Sequence, residues 1–130
     1  MDVLYDSGQT YNGRAVTASA HAHGVPIVIA RRGMQWASGD GVALDILAPA
    51  VPFLADTGDD VNENSIVARL RYNHFRELFM GDAGEASESR LLGFGDDLRA
   101  DVSDVLKVGH HGSAYASTPE FAARVHTMVL

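Results

Sequence analysis

The sequence contains no cysteine, which excludes disulfides and thiolate metal sites. Any metal must then be held by His, Asp, Glu, Asn or backbone oxygen, a donor set that favours zinc or manganese. No apolar run approaches the ~20 residues that cross a bilayer, and no signal peptide opens the chain, so no membrane segment is expected. Basic residues are few: 10 Lys and Arg stand against 17 Asp and Glu, a net charge of −7. That balance argues against a broad basic patch for gripping nucleic acid. A phosphate substrate stays open, because bound divalent cations reverse the local sign.

What is present is enough for one domain, residues 1–130, with a real core. Hydrophobic residues make up 46 % and charged residues 21 %, the balance of a soluble globular protein, and 13 glycines suit a loop-rich α/β fold. Residues 2–5 read as a short strand, with a turn at Asp6-Ser7-Gly8. Residues 10–23 carry Tyr11, Val16 and Ala20 on a helical period closed by Gly24. Residues 26–30 are continuous and β-branched, the pattern of a buried strand. Residues 38–41 (S-G-D-G) punctuate a hairpin-like region, and residues 42–47 alternate as a strand with Asp45 pointing outward. Residues 48–60 form a loop longer than most connections, and therefore mobile or functional.

Residues 65–72 alternate from Val67 onward, and Asn73-His74 is a two-residue turn into a strand at 75–80. Residues 85–92 form a short helix with acids in its first turn and Gly93 after its end. Residues 93–104 are a polar connection. Ser117-Thr118-Pro119-Glu120 is a helix start, with a hydroxyl cap and proline in the first turn. Residues 127–130 look like the opening of another strand.

Two stretches carry chemistry. Leu78, Phe79 and Met80 form an apolar run that stops at Gly81-Asp82. Val105, Leu106 and Val108 form a second that stops at Gly109, followed by His110 and His111. In open α/β sheets the chemistry collects beyond the carboxyl ends of strands, and a carboxylate and an imidazole delivered there can share a divalent cation. Asp82 alternatively caps the helix that follows it. Asn62, Asn64 and Ser65 read equally as site groups or as an Asx-type turn.

The other histidines read as bland. His21 and His23 stand at i and i+2 of the expected helix and cannot chelate together. His74 is a turn residue and His126 a surface residue. Asp59-Asp60 and Asp96-Asp97 are solvated loop charges, Trp36 and Phe94 are core or rim, and Arg31-Arg32 is too small a cluster for nucleic acid.

Residues 60–72 (D-V-N-E-N-S-I-V-A-R-L-R-Y), 79–92 (F-M-G-D-A-G-E-A-S-E-S-R-L-L) and 99–121, with L-K-V-G-H-H-G-S and S-T-P-E-F, follow one another in order. Together they resemble the metallo-β-lactamase-fold domain of ComEC-type DNA-uptake competence proteins. The resemblance implies a partial αββα sandwich of mixed β-sheets, with a metal site at one edge between the sheets. It implies a metal-dependent hydrolase that cleaves a phosphodiester, DNA during uptake, with two divalent cations, zinc or manganese.

By the same resemblance Asp82 bridges the metals and is catalytic, and His110 or His111 is a ligand. The other histidine supports that ligand or bonds substrate, His111 being counted with the catalytic pair. Asn62, Asn64, Ser65 and Ser113 would line the substrate site. A membrane-channel domain of the same protein is the implied partner, and a soluble domain at the bacterial cell membrane the implied location. The chain departs from the family in lacking the leading H-x-H-x-D-H motif. Metal binding by these residues alone is therefore expected to be weak or absent. That departure favours a second reading, a non-catalytic remnant or scaffold module; a third is a related metallo-hydrolase acting on another ester.

Overall fold

A computed structural model describes residues 3–9, 14–95, 103–125 and 128–129. The chain is an α/β protein, and its described residues form two sheets. Strands β1 (Leu4–Asp6) and β2 (Ile27–Ile29) pair in parallel as a small two-stranded sheet, linked by α1 (Arg14–Ala22). The large sheet runs in chain order: β3 (Gln35–Ala37), β4 (Val42–Ala48), β5 (Val67–Tyr72), β6 (Phe75–Phe79), β7 (Val105–Lys107) and β8 (Met128–Val129). Its pairings are antiparallel from β3 to β6 and parallel from β6 to β8.

Local chemistry accounts for these elements. At the β5–β6 hairpin Tyr72 pairs with Phe75, and Asn73 takes the left-handed backbone (φ 53°) that a tight hairpin turn needs and asparagine tolerates. The chain then crosses through α3 (Glu85–Gly93) to reach β7, as parallel pairing requires. Helix α4 (Pro119–Val125) starts as its sequence suggests, the Thr118 hydroxyl accepting the Phe121 N–H at 3.3 Å.

The main core lies between the large sheet and the two helices, where Leu47, Val67, Leu78 and Leu106 meet Leu91 of α3 and Phe121 and Val125 of α4. Full burial of a side chain such as Phe121 or Leu78 stabilises by about 1.5–3 kcal/mol. On the opposite face, reached by strand alternation, Ile46 and Ala68 meet Ala30 in a smaller cluster. That second face is thinly covered: Trp36 (50 % exposed), Tyr72 and Phe75 remain largely open to solvent.

Several expectations are corrected. Asp45 does not point into solvent. It is buried, because Arg69, Arg71 and Gln35 close over it. The strand at Ile27–Ile29 is not buried either, since among the described residues it pairs with β1 alone and Ile29 is exposed. Asp59 and Asp60 do lie at the surface, and they also order the loop: the Asp60 carboxylate accepts from the Thr57 N–H and hydroxyl, and Asp59 caps α2 (Asp60–Glu63). Asp96, Asp97 and His126 lie outside the described residues. Among the described residues no helix is long and apolar enough to cross a membrane.

Candidate functional site at the carboxyl ends of β6 and β7

The parallel register of β6 and β7 builds the site. Phe79 pairs with Lys107. Three residues beyond each partner stand Asp82 and His110, so both motifs leave the sheet at the same edge. The two loops then interlock. His110 N–H donates to the Gly81 carbonyl at 3.0 Å, and Gly109 packs against the Ala83 carbonyl so closely that a Cβ there would overlap it. Gly81 has φ 60°, and a Cβ on it would press within 3.1 Å of the Ile66 carbonyl. Glycine flanks both chemical groups because the backbones must touch.

His110 and His111 both take left-handed backbone, φ 43° and 55°. Consecutive non-glycine residues in this region are costly and persist only where the surroundings force them. The consequence is that the two rings diverge, with centroids 6.4 Å apart at 70°. His111 Nε2 lies 3.3 Å from Asp82 Oδ1, while His110, and not His111, joins Asp82 in lining a cleft. The sequence leaves the two histidines equivalent, whereas the backbone separates their roles. His21 and His23 are exposed in and just after α1, and neither lines this cleft.

The cleft has a volume of about 710 Å³. The segment Thr57–Glu63 lines it, as do α3 from Glu85 to Leu92 and the residues Tyr115, Thr118 and Glu120. The long loop before α2 is thus partly a wall of the cleft. Its charged lining is acidic: Asp59, Glu63, Asp82, Glu85 and Glu120, with no lysine or arginine among the described lining residues. A phosphate entering it meets repulsion unless a cation comes with it.

The four expected substrate-binding residues divide. Asn62 lines the cleft and donates to Asp59 at 2.7 Å. Asn64 is buried and spends its amide inside the protein, exchanging bonds with Leu54 N–H and carbonyl at 2.9 Å each and donating to Asp60 carbonyl at 2.7 Å. It braces the loop and does not face the cleft. Ser65 Oγ accepts the Asp82 N–H at 3.3 Å and so holds the candidate carboxylate from behind. Ser113 Oγ accepts the Tyr115 N–H at 3.3 Å, shaping the loop after the histidines.

Asp82 does not cap α3. The N-cap is Gly84, and the carboxylate at that helix start is Glu63, accepting from Gly84 N–H at 3.2 Å and Ser87 N–H at 2.7 Å. Glu63 and the buried Glu88 are structural parts of the site that a reading along the chain misses. Their partners stand more than 20 positions away in sequence. The acidic text of G-D-A-G-E-A-S-E contains Glu88, but nothing local distinguishes it from a solvated helix charge.

For a divalent metal the donors fit in kind but not in number. Asp82 and His111 supply oxygen and nitrogen of the right character. Among the described residues no group of three or more His, Asp or Glu stands ready to hold an ion. A catalytic zinc takes three protein ligands and water, so these two residues do not make such a centre on their own.

Fold and site together define a mixed-sheet α/β protein with a carboxylate–imidazole pair at one sheet edge, beside an acidic cleft. No family model, curated protein or solved structure matches the chain.

Proposed function

We propose that this chain is part of a metallo-β-lactamase-fold hydrolase domain of the ComEC type, acting on a phosphodiester, with DNA as the substrate during uptake. The observation that carries the reading is the matched offset of Asp82 and His110 from paired residues of parallel β6 and β7. It delivers a carboxylate and an imidazole to one edge in the order the resemblance expects. The strained backbone of His110 and His111 and the acidic lining of the cleft support it.

In this reading zinc or manganese, when bound, supplies the activated water and the positive charge that a phosphodiester needs in an acidic cleft. Asp82 and His111 contribute two of the donors, and the rest come from outside the described residues. Ser65 fixes the Asp82 backbone, His110 lines the cleft, and Asn62 is placed to meet substrate.

The test compares the 130-residue chain with a longer chain in which an H-x-H-x-D-H segment precedes it, each supplied with Mn²⁺ or Zn²⁺ and a phosphodiester reporter or DNA. Turnover only in the longer chain, lost on Asp82→Ala, is the expected result. No turnover in either would support the second reading, a non-catalytic contact module, which the shortage of donors favours. An in-frame H-x-H-x-D-H in the DNA ahead of the start codon would decide between the two at little cost.

A further inference from the structure

Glu88 lies on α3 with none of its surface exposed. Its two carboxylate oxygens each accept a backbone N–H from the segment that leads into α4: Ser117 N–H at 2.5 Å and Thr118 N–H at 2.8 Å. Ser117 has φ 59°, in the left-handed region, although it is not glycine. Among the described residues its buried hydroxyl has no hydrogen-bond partner. Three unfavourable features therefore meet at one contact: a desolvated carboxylate, a left-handed serine and an unpaired hydroxyl. Two charge-assisted hydrogen bonds offset them. Ordinary packing of α3 on α4 needs none of this, since Leu91, Phe121 and Val125 already supply an apolar contact.

The clamped segment is a wall of the cleft. Tyr115, 76 % exposed, and Thr118 both line it, and α3 grips the same segment a second time where Glu85 N–H donates to the Tyr115 carbonyl at 3.0 Å. We propose that Glu88 is a positioning residue: it imposes the left-handed turn at Ser117 and so holds Tyr115 and Thr118 in the lining of the cleft they share with Asp82 and His110. A loop free of the clamp would relax Ser117 to an ordinary backbone angle and carry Tyr115 away. This inference does not rest on the reading of the cleft as a hydrolase site.

The test uses the full chain and four variants, Glu88→Ala, Glu88→Gln, Ser117→Gly and the double variant Glu88→Ala with Ser117→Gly. Amide exchange and the ring signals of Tyr115 and His110 are followed by NMR. In Glu88→Ala the amides at positions 117 and 118 should exchange at least about tenfold faster, beyond any change in β5 and β6, with both ring signals shifted. Adding Ser117→Gly should bring the ring signals back toward wild type, because glycine holds the left-handed turn without help. Uniform acceleration of all amides with unmoved rings would show a merely structural carboxylate and overturn the proposal, as would failure of the second change to restore the rings. If Glu88→Ala does not fold, the remaining single variants decide. Glu88→Gln keeps one acceptor and should speed exchange at position 117 or 118, Ser117→Gly should speed neither, and no difference between them would overturn the clamp.

Discussion

His111 Nε2 stands 3.3 Å from Asp82 Oδ1 across two loops that belong to adjacent parallel strands. The pair is open to solvent, with the His111 side chain 79 % exposed, so it contributes little to stability. It is placed where a third party can reach both atoms at once. Asp82→Asn should leave the thermal midpoint within about 1 °C while weakening Zn²⁺ or Mn²⁺ binding in calorimetry. For the 130-residue chain that binding is expected to be weak from the start, since the two residues supply fewer donors than a catalytic zinc takes. Tight binding unaffected by Asp82→Asn would remove the pair from the site.

Gly109 is where the two loops touch, against the Ala83 carbonyl. Gly109→Ala should cost about 1–3 kcal/mol by overpacking, and the displacement should part Asp82 from His111. Urea unfolding measures the first effect and His111 ring shifts in NMR the second. A stable variant with an unshifted His111 ring would show that the close approach is not required.

Asp45 carries the clearest pH signature. Burial alone would raise its pKa, but hydrogen bonds from Arg71 and Arg69, with their charges, outweigh burial and hold it below its ordinary 3.8. A depressed carboxyl adds stability above the unfolded value, and that stability is lost as pH falls through the folded one. Asp45→Asn should therefore cost about 2–3 kcal/mol at pH 7, less than a fully buried pair because the Arg71 side chain is 40 % exposed. The gap between variant and wild type should narrow below about pH 3.8, where the wild type begins to lose the same charge. A gap in urea midpoints that stays constant from pH 7 to pH 3 would contradict the assignment.

The thinly covered face of the large sheet makes a further expectation. Trp36, Tyr72 and Phe75 lie open on it, and among the described residues β3 is an edge strand of the sheet with one side unpaired. The chain should associate as its concentration rises, and Trp36, the sole tryptophan, should report this by a blue shift in fluorescence. Trp36→Lys should reduce association in sedimentation velocity. A concentration-independent monomer with a sharp thermal transition would count against this reading.

The sequence by itself determined the elements whose signals are local. The alternation from Val67, the Asn73-His74 turn and the Thr118-Pro119 helix start all stand where their residues place them. The strand ends that carry Asp82 and His110 to one sheet edge were legible too, because each follows an apolar run and a glycine. Tertiary structure alone decided which histidine meets Asp82, since that follows from a left-handed backbone at two residues that carry no signal for it. It alone turned Asn64 inward to brace Leu54 and buried Asp45 beneath two arginines. It likewise made Glu63 and Glu88 into clamps on backbone amides 24 and 30 positions away. Periodicity and turn chemistry act over a few residues. The destination of a carboxylate is set by which distant amide the fold brings beside it, and that emerges only once the chain has closed on itself.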